Sequence, residues 1–306
     1  MVTQAITAPK RGIHSIREMS TNDIERILDL ARDFKAGKAI NKLSNKTVAL
    51  FFSENSTRTK LSFQLAATKL GAQVLDLNQD TSSISKGESL ADTVMTLQAM
   101  GADCVVVRHN QSGITQYLQK YVTVPIINAG DGWAEHPSQC LLDLMTIREY
   151  KRFNGLRVLI AGDILHSRVA RSNKIALEKL GAKVEFTGPK ILMPPNTQKA
   201  LWPESLTRTD VLILLRLQKE RQTQGLIASL DDYHLMYGLT EKNLELLPEE
   251  SLILHPGPVN RGVELAESVL EDHRCKVQEQ VTNGVYVRMA LIALALEGRG
   301  IVEISA

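Results

Sequence analysis

The sequence predicts an α/β protein made of two doubly wound parallel-sheet domains that are joined by helices. Short apolar runs alternate with helical periodicities along the chain, which is the pattern of parallel strands separated by crossover helices. The length of 306 residues exceeds the ~100 to 200 residues of a usual domain. A strand, loop and helix pattern that begins at Thr47 begins again at Arg157. Each half of the chain therefore has the elements of its own sheet.

The composition excludes several classes of function. A net charge of +2 gives no general attraction for nucleic acid or an anionic membrane. The N-terminus lacks the order of a secretory signal, and no segment approaches the ~20 apolar residues of a membrane span. The three cysteines, Cys104, Cys140 and Cys275, form no CxxC pair, which favours a reducing compartment over a disulfide or zinc framework. We expect a soluble cytoplasmic protein without nucleic-acid or membrane partners.

The first half begins with an amphipathic helix and continues as a βαβ unit. Ser20 or Thr21 caps a helix that extends to Lys35, with apolar residues spaced three and four apart. An apolar strand at 47–52 then leads into a helix, and a second strand follows at 73–77. The order strand, helix, strand predicts a parallel pair with its loop at one edge of the sheet.

The segment Ser56-Thr57-Arg58-Thr59 lies where the helix of this βαβ unit begins. A helix start offers backbone N–H groups and a partial positive charge to an anion. An arginine side chain matches the geometry of a phosphate. These four residues are therefore a candidate phosphate cradle, and the alternative is an ordinary helix N-cap with a solvated arginine.

The remaining elements follow the same pattern. Helices are predicted at 90–100, from Pro137 to about 150, before Leu180 and at 283–296, and strands at 103–107, 124–128, 157–163, 183–186, 211–215 and 252–254. The segment 80–88 is a polar loop with one lysine, and 189–203 is interrupted by prolines. We place one domain at 1–150, with a C-terminal helix at 284–306 packing back on it, and the other at 151–283.

The two halves correspond closely in sequence. A shift of 110 residues superimposes Leu70-Gly71-Ala72 on Leu180-Gly181-Ala182 and Thr57-Arg58 on Ser167-Arg168. Each half thus presents a hydroxyl and an arginine at a helix start. Short α/β units often agree by chance, so a gene duplication is one interpretation of this match.

Hydrogen-bond donors, most of them cationic, collect where the predicted strands end. They are Ser56, Thr57, Arg58, Thr59, Arg108, His136, Gln139, Arg168, Arg216 and Gln218. Such a set suits substrates that carry several negative charges. The chain contains no P-loop, no GxGxxG fingerprint and no HExxH or GxSxG motif, which disfavours a nucleotide-dependent dehydrogenase and the corresponding hydrolases. We predict no metal and no cofactor, and interpret Asp163 as a structural loop residue.

Seven segments in order carry a family resemblance. They are FFSENSTRTKLSF, SSISKGESLADT, VVRH, GDGWAEHPSQCLLDL, GDILHSRVARS, LLRLQKER and HPGPVNRGVE. Together they resemble the catalytic chain of the aspartate carbamoyltransferases. The resemblance implies a carbamoyl-phosphate domain, an aspartate domain, and a homotrimer or multiple of trimers with active sites in the domain cleft and at the subunit interface. It also implies transfer of a carbamoyl group to L-aspartate in pyrimidine synthesis.

The resemblance assigns roles to particular residues. Carbamoyl phosphate would be bound by Ser56, Thr57, Arg58, Thr59, Arg108, His136 and Gln139, with Ser82 and Lys86 from the adjacent subunit. Aspartate would be bound by Lys86, Arg168, Arg216, Gln218, Gly257 and Pro258. The catalytic residues would be Arg58, Thr59, Lys86, Arg108 and His136. A capping role for His136 at the next helix is the alternative for that residue.

The chain also departs from the family pattern. Trp133 and Glu135 replace the small or polar residues expected beside His136, and Gly257 stands where some members carry leucine. The continuation VNRGVE resembles the bacterial branch without attached regulatory chains, and a regulatory chain or another pyrimidine-pathway enzyme stays open as a partner.

Two other functions remain as alternatives. An ornithine carbamoyltransferase shares the STRT cradle, but that family uses an HCLP cysteine segment and an acidic loop for the cationic side chain of its substrate. Here the corresponding segment is HPGP, and the second half offers Arg168 and Arg216. A non-catalytic binding or assembly module would be favoured by loss of Arg58, Lys86 or His136, all of which are present.

Overall fold

Both predicted parallel sheets are present in the structure. The computed structural model describes residues 12–41, 43–54, 56–78, 88–217, 229–296 and 302–304. The strands are β1 Ala39–Asn41, β2 Thr47–Phe52, β3 Gln73–Asn78, β4 Cys104–His109, β5 Ile126–Asp131, β6 Arg157–Ala161, β7 Lys183–Thr187, β8 Val211–Leu214, β9 Leu252–Leu254 and β10 Val302–Ile304. The helices are α1 Thr21–Lys35, α2 Thr57–Lys69, α3 Leu90–Ala99, α4 Ile114–Gln119, α5 Pro137–Arg148, α6 Arg168–Lys179, α7 Leu230–Tyr237, α8 Glu241–Leu244 and α9 Val277–Ala295.

The chain divides into two units. Unit 1 comprises 1–142 and 282–306, and unit 2 comprises 143–281. These boundaries fall inside α5 and α9. The sequence placed the first at 150, beyond the end of α5, and the second at 283, also inside α9. Each unit contains one four-stranded parallel sheet with helices against it, which confirms the predicted fold class.

Unit 1 is organised around the buried strands β2 and β4. Its sheet has the order β3-β2-β4-β5, and all three pairings are parallel. The residues of β2 from Val48 to Phe51 are fully buried, because a central parallel strand is covered on both faces. The register places Phe52 beside Arg108 and Val107 beside Asn128. The segments that follow β2, β4 and β5 therefore begin next to one another.

Unit 2 repeats this topology. Its sheet has the order β7-β6-β8-β9 and is also parallel. In both units the first strand of the βαβ pair lies between its partner and the third strand. Leu70 and Leu180 end α2 and α6 at equivalent places, each followed by a glycine with positive φ. The sequence match at a shift of 110 thus corresponds to a repeated fold.

The local signals for helix ends were partly correct. Ser20 caps α1 in a reciprocal arrangement with Asp23, and the predicted apolar face of this helix is buried. The helix predicted at 283–296 ends within one residue of the end of α9, but its extension to 306 in the domain assignment is wrong. Helix α9 ends at Ala295, and β10 pairs antiparallel with β1. Gly298 and Gly300 follow the helix in the sequence, and β-branched Val302 and Ile304 favour a strand.

The core of unit 2 offers a matched test of burial. We expect Leu212→Ala to lower the free energy of unfolding by about 2 to 5 kcal/mol, because Leu212 is fully buried within β8 and leaves a cavity. Leu201→Ala removes the same atoms from a side chain that is 71% exposed, and should change stability by no more than about 0.5 kcal/mol. Urea unfolding followed by circular dichroism measures both. Equal losses in the two variants would contradict the core assignment.

Candidate active site

The predicted phosphate cradle lies at the start of α2. Ser56 occupies the N-cap position, but its side chain accepts no hydrogen bond from the helix. The serines before α3 and α6, Ser89 and Ser167, do accept such bonds. The capping alternative is therefore correct for the position of Ser56 and wrong for its hydroxyl. The hydroxyl is therefore not used for capping, and the helix start offers its backbone N–H groups to an anion.

Arg108 and His136 are in direct contact within unit 1. The Arg108 Nη1 atom lies 3.3 Å from His136 Nε2 and donates to the carbonyl oxygen of Ala129 at 3.3 Å. Its Nε atom lies 3.3 Å from a carboxylate oxygen of Glu54. Since a guanidinium only donates hydrogen bonds, His136 Nε2 accepts and the proton of the neutral ring is on Nδ1. The Ser53 amide donates to the Arg108 carbonyl at 2.9 Å, so the arginine is also adjacent to the segment before α2.

The loop that carries His136 is held by a buried aspartate at the end of β5. Asp131 accepts hydrogen bonds from the Asn128 side chain and the Glu135 amide at 3.0 Å each, and from the Gly113 amide at 2.6 Å. Gly132 has a φ of +44°, and a Cβ there would lie 2.6 Å from the Ser112 hydroxyl. Only glycine fits this turn without displacing its neighbour. His136 then precedes Pro137, the first residue of α5.

Glu135 and Trp133 have different surroundings. The Glu135 carboxylate is buried and accepts hydrogen bonds from the Ser15 hydroxyl and from the Ile16 amide at 2.8 Å. Trp133 is 51% exposed, and its amide donates to the Ser112 hydroxyl. Glu135 therefore ties the N-terminal segment to the His136 loop. No local sequence signal indicated this contact, because Ser15 is 120 residues away.

Arg168 begins α6 in unit 2. Its side chain is only 6% exposed, in contrast to the exposed Arg58 of α2. The preceding loop is ordered by Asp163, which is buried and accepts from the His166 amide at 3.2 Å and contacts the His166 ring at 2.9 Å. Arg171 donates to the Leu165 carbonyl of the same loop. The interpretation of Asp163 as a structural residue agrees with these contacts.

Arg216 follows β8, two residues beyond Leu214. The next amide, that of Leu217, donates to the buried carboxylate of Glu264 at 2.8 Å. The Leu215 amide donates to the Ala161 carbonyl at 2.8 Å, so the segment with Arg216 leaves the sheet beside the end of β6. Arg216 is half-buried at this position.

The HPGP segment follows β9. The amide of Gly257 donates to His255 Nδ1 at 2.9 Å, and Gly257 has a φ of +66° and precedes Pro258 through a cis peptide bond. The residue expected from some family members, leucine, would be strained at this φ. The His255 ring is buried, with Nε2 3.7 Å from Glu264. Glu264 and His255 both belong to the HPGPVNRGVE segment, but nothing in the sequence indicated that their side chains lie next to each other.

Three predicted site residues lie outside the described residues: Ser82, Lys86 and Gln218. Thr59 and Gln139 are buried, in α2 and α5 of unit 1. Among the described residues no group of three or more His, Cys, Asp or Glu side chains could hold a metal ion. None of the helices in the described ranges is long and apolar enough to cross a membrane.

Buried titratable groups near these segments have shifted pKa values. Burial lowers the pKa of His109, whose Nδ1 accepts a hydrogen bond from the Gln111 amide. For Glu264, burial favours the neutral acid, but contacts with His255, the Leu217 amide and Asn260 together hold its pKa below the usual value. Glu264 is therefore an anion at neutral pH within a set of donors.

Family models match both units of the chain. Residues 11–149 match the carbamoyl-P binding domain of aspartate/ornithine carbamoyltransferases, and 202–295 match the Asp/Orn binding domain. The chain is 48% identical over 296 residues to the aspartate carbamoyltransferase catalytic subunit of Acetivibrio thermocellus, covering 93% of this chain and 95% of that one. The chain belongs to the aspartate/ornithine carbamoyltransferase family. The resemblance found in the sequence is thereby confirmed.

Solved structures from both branches of the carbamoyltransferase family share the fold. The aspartate transcarbamoylase of Trypanosoma cruzi, in complex with carbamoyl phosphate and aspartate, has a TM-score of 0.83 at 30% identity, covering 93% of this chain and 96% of that one. The ornithine carbamoyltransferase of Pyrococcus furiosus has a TM-score of 0.80 at 26% identity, covering 95% and 98%. Fold similarity alone does not separate the two carbamoyltransferase activities.

The Glu135 contact predicts a local change in stability. We expect Glu135→Gln to speed hydrogen exchange of the Ile16 amide, because one of the two acceptor oxygens is replaced by a donor group. Hydrogen-exchange mass spectrometry of peptides covering 12–19 measures this. Glu25→Gln, on the exposed face of α1, is the control and should leave those peptides unchanged. Identical exchange in both variants would show that the carboxylate does not hold the segment.

Proposed function

We propose that this chain transfers the carbamoyl group of carbamoyl phosphate to the amino group of L-aspartate, giving N-carbamoyl-L-aspartate and phosphate. The observation that carries the proposal is the Arg108–His136 contact beside the start of α2. It places a cation next to an imidazole, and Arg108 also contacts Ser53 and Glu54 in the segment that leads to α2. Relatives at 45% to 48% identity are named aspartate carbamoyltransferase catalytic subunits, which supports the choice of acceptor.

The carbamoyl-phosphate half-site would lie in unit 1. Ser56, Thr57 and Arg58 would hold the phosphate at the N-terminus of α2. Thr59, Arg108 and His136 would donate to the carbonyl oxygen, with Gln139 nearby in α5. As the amino nitrogen attacks the carbonyl carbon, that oxygen gains negative charge, and a preorganised donor there contributes about 3 to 4 kcal/mol. The C–O bond to phosphate then breaks with its electron pair, and the nitrogen loses a proton that the released phosphate can accept.

The contact between Arg108 and His136 also limits how the imidazole acts. While Arg108 donates to Nε2, that atom cannot donate to a substrate. We infer that the guanidinium turns from His136 to the substrate when carbamoyl phosphate binds, and that the imidazole then presents an N–H to the carbonyl oxygen. The rearrangement would couple substrate binding to the correct ring tautomer.

The aspartate half-site would lie in unit 2. Arg168 at the start of α6 and Arg216 after β8 are the cations proposed to pair with the two carboxylates of aspartate. Gln218, Gly257 and Pro258 would complete it, the latter two with backbone carbonyls that accept from the amino group. The cationic side chain of ornithine would be repelled by the two arginines, so aspartate is favoured over the ornithine alternative.

We further propose that the chain works as a homotrimer or a multiple of trimers, with Ser82 and Lys86 acting in the neighbouring subunit's site. The support is apolar surface on unit 1. Leu61 and Leu65 on α2 and Leu75 on the edge strand β3 are exposed, an arrangement that a second copy could cover. On a monomer, the same exposed apolar surface would favour aggregation.

The cellular setting is part of the same proposal. The three cysteines are free thiols, which suits the reducing cytoplasm. The product places the chain in pyrimidine synthesis, where a regulatory chain or another enzyme of the pathway is a candidate partner. Cell fractionation tests the cytoplasmic location, and co-purification from the fraction that contains the protein tests for a partner.

The acceptor is tested directly with purified protein. We expect phosphate release from carbamoyl phosphate with aspartate and none above background with ornithine, because Arg168 and Arg216 favour a dicarboxylate. Colorimetric phosphate detection and mass spectrometry of the product measure this. Release with ornithine alone would overturn the proposal, and release with neither would favour a binding module.

The role of His136 is tested by substitution. We expect His136→Ala to lower kcat by about 10²- to 10³-fold, as for loss of one oxyanion donor, while circular dichroism shows a folded protein. His273→Ala, whose side chain is exposed, is the matched control and should retain the wild-type kcat. An unchanged kcat in His136→Ala would show that the imidazole has no catalytic role and would favour its alternative role as a cap of α5.

The shared site is tested by mixing inactive chains. Lys86→Ala and Arg58→Ala chains should each be inactive alone and recover activity after subunit exchange, because hybrid trimers contain a site with an intact Arg58 and a neighbour's intact Lys86. Differential tagging demonstrates exchange, and light scattering gives the mass of the assembly. Demonstrated exchange without recovery would place Lys86 in its own chain's site.

A further inference from the structure

Glu264 is a buried carboxylate that no role in the proposed chemistry requires. Its side chain is 1% exposed. A carboxylate that is ionised at such depth needs hydrogen-bond donors around it, because burying an unpaired charge is strongly unfavourable. The donors that surround it come from two segments that the proposed aspartate half-site uses, the one after β8 and the one after β9.

The first of these segments is clamped at Leu217. Glu264 Oε1 accepts the Leu217 amide at 2.8 Å, and the Asn260 side chain lies 3.4 Å from the Leu217 carbonyl oxygen. The Leu217 side chain is fully buried against Tyr233 and Val263. Leu217 is thus held by its amide, its carbonyl and its side chain. It directly follows Arg216, so its backbone sets the direction in which the Arg216 side chain leaves the segment.

Asn260 presents the carboxylate to Leu217. Its amide donates to Glu264 Oε2 at 2.7 Å, and its side-chain nitrogen donates to Oε1 at 2.7 Å. Both oxygens of Glu264 are therefore occupied by donors with short distances, as charge-assisted hydrogen bonds are. A glutamine at 264 would place an NH₂ group against one of these donors.

The second segment is reached through His255. Its Nδ1 accepts the Gly257 amide at 2.9 Å, and its Nε2 faces Glu264 Oε2 at 3.7 Å. The His255 amide in turn donates to Gln280 at 2.9 Å. Glu264 therefore lies behind the ring that shapes the turn before Pro258.

We propose that Glu264 is a positioning residue for the acceptor substrate: through Leu217 and His255 it fixes the backbone at Arg216 and at the Gly257–Pro258 turn without touching the substrate. The inference rests on the proposed function only for the identity of the acceptor as aspartate. According to this proposal, a carboxylate of the protein supports the binding of a dicarboxylate substrate. Direct contact between the two would instead be repulsive.

The test is Glu264→Gln in the full-length enzyme, with KM measured separately for each substrate. We expect the KM for aspartate to rise by about tenfold or more, as for loss of a buried hydrogen bond to a charged group, and the KM for carbamoyl phosphate to change by less than about twofold. Glu267→Gln, at an exposed position three residues further along, is the control and should leave both values unchanged. General destabilisation would alter both KM values or neither.

A second variant covers the case in which Glu264→Gln does not fold. Asn260→Ala keeps the carboxylate but removes the side-chain contacts to Leu217 and Glu264, and should raise the aspartate KM in the same selective way by about threefold or more. If wild-type enzyme carbamoylates aspartate and neither folded variant changes the aspartate KM selectively, the positioning role is wrong and the proposed function stands. If wild-type enzyme does not act on aspartate, the proposed function itself fails.

Discussion

Parallel strand pairing is the constraint from which the rest of the structure follows. In each unit the carboxyl ends of the strands meet at one edge of the sheet, and the order of strands is the same in both. In unit 1 this brings the segment before α2, the end of β4 and the loop after β5 next to one another, although they are distant in sequence. The register of the sheet therefore brings the candidate site residues of unit 1 close together, and the local turn after each strand sets the direction of each side chain.

Buried carboxylates supply those local turns. Asp131 in unit 1 accepts the amide of Glu135 beside His136, and Glu264 in unit 2 accepts the amides of Leu217 and Asn260. A carboxylate at neutral pH offers several acceptor sites and no donor, so it can gather free amides of a loop at one point. The hydrogen bonds offset the cost of burying the charge. A site rich in arginine thus depends on acidic residues that lie behind it.

The fold could be predicted from the sequence because its signals are local and repeated. Apolar runs located the central strands, and Ser20 and the glycines after α2 and α6 located helix ends. The neighbours Arg108 and His136 were identified by the rule for strand ends. The failure at 284–306 has a physical cause: Val302 and Ile304 favour a strand only weakly, and the pairing that defines the strand is with β1, more than 250 residues away.

The contacts that hold the site residues in place could not be predicted either, because they join residues that are far apart in the sequence. Glu135 depends on Ser15, and Glu264 on Leu217, pairs that only the folded chain brings together. The capping signal at Ser56 was ambiguous because position and hydrogen bond are separate properties, and only the first follows from the residue type. Ser82, Lys86 and Gln218 stay predictions.

The pairing of β1 with β10 has a consequence for biosynthesis. Unit 2 is one uninterrupted stretch, whereas unit 1 includes 282–306 as well as the beginning of the chain. A ribosome therefore exposes every residue of unit 2 while unit 1 still lacks α9 beyond its start. Domains usually fold in the order in which they emerge, but here unit 1 begins before unit 2 and is completed after it. The four strands of its parallel sheet have all emerged by residue 131, whereas β1 gains its partner only after 302–304 have been synthesised, and that interval is when a chaperone would be most useful.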